Sequence, residues 1–183
     1  MSGSAPKCSA TTPGSASRSS SRRQRSAAAA RTAAGRLAGE HGEPLARPVG
    51  AVTGLFPAPA ALAALDPAAL AMPRSRARAL IGLCRVLAAG ELRLDDGADR
   101  EDARRRLLAL PGIGPWTAGY VAMRALGDDD VFLAEDLGVR HALRRLGVAD
   151  DVRAARALAA PWAPWRSYAT QHLWQAPQDA ALA

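Results

Sequence analysis

The densest chemistry in this 183-residue chain lies between positions 101 and 136. The hexapeptide Leu110-Pro111-Gly112-Ile113-Gly114-Pro115 joins a charged helix predicted at 101–109 to a second one starting near Pro115 or Trp116. A turn this tight uses backbone conformations that glycine reaches without a Cβ penalty. Those of its N–H groups left unpaired in the turn, with those opening the next helix, would point outward together. Such a cluster binds an anion, and for a basic chain the natural anion is a nucleic-acid phosphate. Gly112, Ile113, Gly114 and Thr117 would make the contact, and Ile113 would plug the turn into the core. It would position the chain on the backbone without reading bases. An ordinary connection between two helices, stopped by glycine, explains the hexapeptide as well.

Other reactive side chains are few. Glu135-Asp136 stands where a helix of about 135–146 should begin. There a carboxylate meets the positive end of the helix dipole, and capping alone accounts for one acid of the pair. Asp128, Asp129 and Asp130 read as solvated turn residues, which argues against a metal-dependent nuclease. No catalytic metal and no cofactor is expected. The two cysteines exclude a disulfide framework, an iron–sulfur cluster and a Cys-rich zinc module. Cys84 lies on the apolar face of a helix at 74–89, with Ala77, Leu80, Ile81 and Leu87, and reads as a small core residue. Cys8, in a Ser-rich tail, has no neighbour to activate it as an alkyl acceptor.

The elements that must position these residues read as helices. Forty-four alanines inflate the 49% hydrophobic content, and alanine drives helix formation more than burial. Only 10 Val and Ile residues leave an extensive sheet without its usual β-branched residues, and nothing alternates with period two. Ser26 can cap a helix to about Gly39 that buries Ala30, Ala33, Ala34 and Leu37. A proline-rich connection follows through Pro57 and Pro59, then short helices at 59–65 and 67–71, the second opened by Asp66-Pro67. In the helix at 101–109, Leu107 and Leu108 are expected to turn inward. Helices at 150–160 and 162–175 complete an all-α fold class.

The formal charge of +7 is uneven, for residues 1–25 hold five basic side chains and no acid. Low hydrophobicity predicts a disordered tail there, a helical domain over 26–176 with the hairpin at 101–126, and a flexible end at 177–183. Arg31 and Arg36 interrupt any secretory hydrophobic region, although the Arg- and Ser-rich composition suits an organellar transit peptide or a non-specific DNA-binding arm. No apolar run approaches the roughly 20 residues of a membrane span. Twenty-three of 24 basic residues are Arg, which with the Ala content resembles a high-GC coding bias, so arginine abundance says little about function.

Beyond the hairpin come Trp116-Thr117-Ala118-Gly119-Tyr120, then Asp130-Val131-Phe132-Leu133-Ala134-Glu135-Asp136. Further on stand Trp162-Ala163-Pro164-Trp165-Arg166-Ser167-Tyr168 and His172-Leu173-Trp174. In this order and spacing the blocks resemble the helix-hairpin-helix DNA glycosylases, most nearly the DNA-3-methyladenine glycosylase II group, from about Ser26 to Gln175. The resemblance implies that Asp136, rather than Glu135, is the catalytic carboxylate. It also implies a base pocket walled by Trp116, Tyr120 and Trp174, with Trp162 and Trp165 left to core packing. Relatives that also cut the backbone carry a Schiff-base lysine at this point of the hairpin, where this chain has Trp116, its only lysine being Lys7. The implied activity is hydrolysis of alkylated purines, 3-methyladenine and 7-methylguanine among them, leaving an abasic site. The implied partner is damaged double-stranded DNA, met by a cytoplasmic monomer.

Three departures stand out. The β-rich N-terminal domain of the family is absent from this sequence, Leu137 follows the aspartate where an aromatic is frequent, and Arg22-Arg23-Gln24-Arg25-Ser26 stands where an apolar wedge is expected. A wedge enters the minor groove as the base flips out, so its loss would weaken extrusion more than chemistry. The alternative reading is a truncated or catalytically impaired DNA-binding module of the same fold.

Overall fold

The computed structural model describes residues 16–148 and 151–176, with side-chain surroundings from residue 29 onward. The tail before residue 16 and the flexible end expected at 177–183 lie outside the described residues. Contacts divide the chain into two units, residues 1–36 and 37–183. The first contributes most of helix α1 (Ala16–His41), which begins ten residues before the expected Ser26. Arg and Ala are strong helix formers and Ser a neutral one, so the composition of this segment permits a helix. Of the four residues expected to be buried along α1, only Leu37 is; Ala33 is half-buried and Ala30 and Ala34 are exposed.

The second unit opens with a small feature that the all-α reading did not include. Strands β1 (Pro44–Val49) and β2 (Val52–Gly54) form an antiparallel hairpin, turned at Gly50 with φ +58°. Both strands are edges and almost wholly exposed, so Pro44 and Pro48 cost no interior ladder bond and no buried face imposes a period of two.

Helices α2 (Pro59–Ala63) and α3 (Arg74–Ala88), with a single 3₁₀ turn at Pro67–Ala69, enclose a first core of Leu37, Leu62, Leu70, Ala77, Ile81 and Cys84. Asp66 caps the 3₁₀ turn through the Ala68 N–H at 2.8 Å. Burial pushes the Cys84 thiol pKa up, as suits a core residue. Helices α4 (Arg100–Ala109) and α5 (Pro115–Ala125) enclose a second core of Leu92, Ala103, Leu107, Ala118, Ala122 and Leu126. Leu107 is fully buried there, but Leu108 is 42% exposed, against the expectation that both turn inward. One turn of α4 can offer only one of two adjacent leucines to the partner helix.

A third core gathers Ala134, Val139, Leu143 and Ala155 from the following loop and helices α6 (Leu137–Arg145) and α7 (Val152–Ala159). Helix α8 (Arg166–Gln175) adds Leu173 and Trp174. The single helix expected over 162–175 is instead a 3₁₀ turn at Ala160–Trp162, a break at Pro164, and α8. Trp162 packs on the third core, whereas Trp165, also expected inside, is 58% exposed. Alanine proves a core residue as well as a helix former. Ala77, Ala118, Ala134 and Ala155 are completely buried, where their small side chains let backbones approach closely.

Candidate active site

The hairpin is as compact as its sequence demands. Asp99 caps α4 by accepting the Asp102 N–H at 2.9 Å, and the Ile113 N–H closes the turn onto the Leu110 carbonyl at 3.1 Å. Gly112 adopts φ +87°, and a Cβ built on it would lie 2.9 Å from the Ala79 Cβ of α3, so both conformation and space require glycine. Gly114 is different. Its φ of −97° and ψ of 176° suit any residue, and a Cβ there would meet nothing within 4 Å. It caps α5 with no side-chain hydrogen bond, and Pro115 at the first helical position has no N–H. Among the described residues, no side chain satisfies the backbone donors at this helix start. Ile113 packs against the second core and Thr117 is half-buried beside it.

From α5 the chain crosses a loop to α6, and α8 fastens that loop. Arg166 grips the Asp130 carboxylate at both oxygens, Nε to Oδ1 at 2.6 Å and Nη2 to Oδ2 at 2.5 Å. This guanidinium holds the Asp130 pKa below the usual carboxylate range. The Ser167 hydroxyl donates to the Asp128 carbonyl and accepts the Val131 N–H, while the Ser167 N–H donates to the Asp129 carbonyl at 2.8 Å. Thr170, fully buried, reaches the Val131 carbonyl at 3.3 Å. Asp130 is thus a tether rather than a solvated turn residue. A further constraint comes from Gly119, where a Cβ would lie 2.9 Å from Leu133 and 3.3 Å from Val131, so α5 approaches the loop closely.

The loop ends at Asp136, the cap of α6. Its Oδ1 accepts the N–H groups of Gly138 at 2.6 Å and Val139 at 3.1 Å. Two indole N–H groups complete the set: Trp174 donates to Oδ1 at 2.9 Å and Trp116 to Oδ2 at 3.1 Å. Tyr120 lies between the indoles, its ring 5.4 Å from that of Trp116 at 19° and 6.0 Å from that of Trp174 at 44°. Trp116 and Tyr120, one turn apart on α5, stay about two-fifths exposed, so the aromatic row has an open side. Glu135 instead pairs with Arg156. A cavity of about 300 Å³ lined by Arg104, Asp130, Glu135, Arg156 and Arg166 touches none of these three aromatics nor Asp136, and its walls are already joined by the two ion pairs.

The structure therefore brings Asp136, Trp116, Tyr120 and Trp174 into direct contact, and places Gly112, Ile113, Gly114 and Thr117 at the start of the same α5. The loop tether was missed from sequence, although Ser167 and Thr170, three apart on a predicted helix, could have signalled a buried polar face. The side chains of 22–26, where an apolar wedge was expected, lie outside the described residues.

Comparison with known proteins gives the chain a family. The chain is 51% identical over 151 residues to the probable bifunctional transcriptional activator/DNA repair enzyme AlkA of Mycobacterium tuberculosis, covering 82% of this chain and 30% of that protein. DNA-3-methyladenine glycosylase 2 of Escherichia coli is 42% identical over 122 residues, covering 65% and 42%. Among solved structures, the 3-methyladenine DNA-glycosylase of Archaeoglobus fulgidus superposes with a TM-score of 0.65 at 26% identity, over 80% of this chain and 51% of that one. The chain belongs to the helix-hairpin-helix DNA glycosylase superfamily. No family model matches it, and it spans under half the length of the curated relatives named here. Within the family the mostly helical fold is the expected one, and the β1–β2 hairpin is a local addition to the all-α reading.

Proposed function

We propose that this chain is a monofunctional DNA glycosylase that hydrolyses the N-glycosidic bond of alkylated purines in duplex DNA, acting as a monomer in the cytoplasm. The observation that carries the reading is one carboxylate, Asp136, held by two backbone and two indole N–H groups beside an open row of three aromatic rings. As the bond breaks, its electron pair leaves with the base and positive charge builds on the deoxyribose. A fixed carboxylate stabilises that charge, and water completes the reaction at the anomeric carbon. Bases such as 3-methyladenine and 7-methylguanine are electron-poor or cationic, so they stack on the faces of Trp116, Tyr120 and Trp174 and leave without a protein acid. Reaching them requires extrusion from the duplex. The turn and the uncapped start of α5, at Gly112, Gly114 and Thr117, supply donors for a DNA phosphate, while Ile113, its N–H held by the Leu110 carbonyl, shapes the turn rather than donating.

Strand cleavage by β-elimination would need an amine in the site. Trp116 occupies the hairpin position, and the single lysine of the sequence is Lys7. The test is an assay on methylated duplex DNA that scores free base and strand integrity together. Free 3-methyladenine with matching abasic sites in intact strands is expected. DNA binding without base release would leave a silent DNA-binding module, and nicked strands would overturn the hydrolytic assignment.

A further inference from the structure

We infer that the two oxygens of Asp136 have separate duties, Oδ1 as anchor and Oδ2 as the oxygen offered to the reaction, and that Trp174 is the positioning residue enforcing the division. The inference rests on the reading of Asp136 as the reacting carboxylate. Oδ1 accepts three N–H groups, from Gly138, Val139 and Trp174. A carboxylate oxygen has roughly two lone-pair directions, so three donors leave it none to spare. Oδ2 accepts only the Trp116 indole at 3.1 Å among the described residues, which leaves a lone pair unengaged. The two backbone donors belong to the first turn of α6 and could hold Oδ1 while the carboxyl plane swung, because this terminal torsion is broad. Trp174 comes from a different helix and fixes the plane.

The position of Trp174 is itself fixed. The first half of α8 grips the start of the 128–136 loop through Arg166, Ser167 and Thr170, and its last turn grips the end of that loop through Trp174. One rigid helix thus spans both ends of the segment that delivers the carboxylate. The Trp174 N–H then has a role distinct from that of its ring, and the two can be separated chemically.

The experiment places benzothienylalanine, which keeps the ring but has sulfur in place of N–H, at position 174 or at position 116 of the full chain. Single-turnover base release from methylated duplex is then followed at saturating DNA. At 174 the plateau rate should fall about tenfold, the loss expected for one hydrogen bond to a charged group, with DNA affinity and melting temperature held. At 116 the fall should be about threefold or less, because that donor shares the reacting oxygen rather than setting the carboxyl plane. Trp174→His, which retains a ring N–H, should recover part of the rate that Trp174→Phe loses. An unchanged plateau at 174, or an equal or larger fall at 116, overturns the division of duties. Base release by Asp136→Asn would overturn the catalytic reading beneath it, and is distinguished by affecting the aspartate alone.

Discussion

Two helix starts in this molecule face the same physical problem and solve it in opposite ways. The first turn of α6 is satisfied internally, by the Asp136 carboxylate accepting two of its N–H groups. The first turn of α5 follows Gly114, which has no side chain to offer. One terminus carries its own anion; the other has no capping side chain. On the proposed function the filled terminus cleaves the glycosidic bond and the open one holds the DNA. On that reading identical backbone electrostatics serve binding in one place and chemistry in the other, and the residue at the cap decides which.

The predictions probe that contrast in order of size. Asp136→Asn should lower single-turnover base release by at least about 100-fold while duplex affinity changes little, since the neutral amide cannot stabilise developing positive charge. Gly112→Ala should destabilise the fold by about 1–3 kcal/mol in denaturant melts and weaken DNA binding, because the alanine must take a strained positive φ against Ala79. Asp130→Asn should cost about 1 kcal/mol at neutral pH, the tether being about a third exposed at each partner. The folded pKa of Asp130 is depressed, so its stabilisation is present above the ordinary Asp value of about 3.9 and is lost as pH falls below it. Melts of wild type and Asp130→Asn should therefore converge in acid and separate toward neutrality. Glu135→Gln, which removes only the partly exposed pair with Arg156, should cost about 0.5 kcal/mol or less and leave base release unchanged.

How far these features were legible in sequence depends on whether a local signal exists. Helices α4 and α7 carry an aspartate at the cap, and the glycine turn announces itself by composition, so their places were readable within a residue or two. The β1–β2 hairpin was not, because exposed two-edged strands need no alternating pattern. The exposure of Trp165 was not either, since tryptophan content alone cannot distinguish a core ring from one left outside by the break at Pro164. The grip of Arg166 on Asp130 spans 36 residues and depends on where α8 docks, which no window of sequence contains. The same holds for the indole bonds to Asp136, 20 and 38 residues apart. The residues of the candidate site were nameable from their blocks; their hydrogen bonds were not.

The division between the two helix starts is tested most directly by giving the open one the cap of the filled one. Gly114→Asp fits its backbone and its empty surroundings, and should satisfy the first turn of α5 much as Asp136 satisfies that of α6. The measurement is the single-turnover base-release rate as a function of duplex concentration. The curve should move to higher DNA concentration by about tenfold or more, with its plateau retained, because a carboxylate now stands where a phosphate should dock. A curve unmoved in midpoint, or one whose plateau collapses at the original midpoint, would contradict that division.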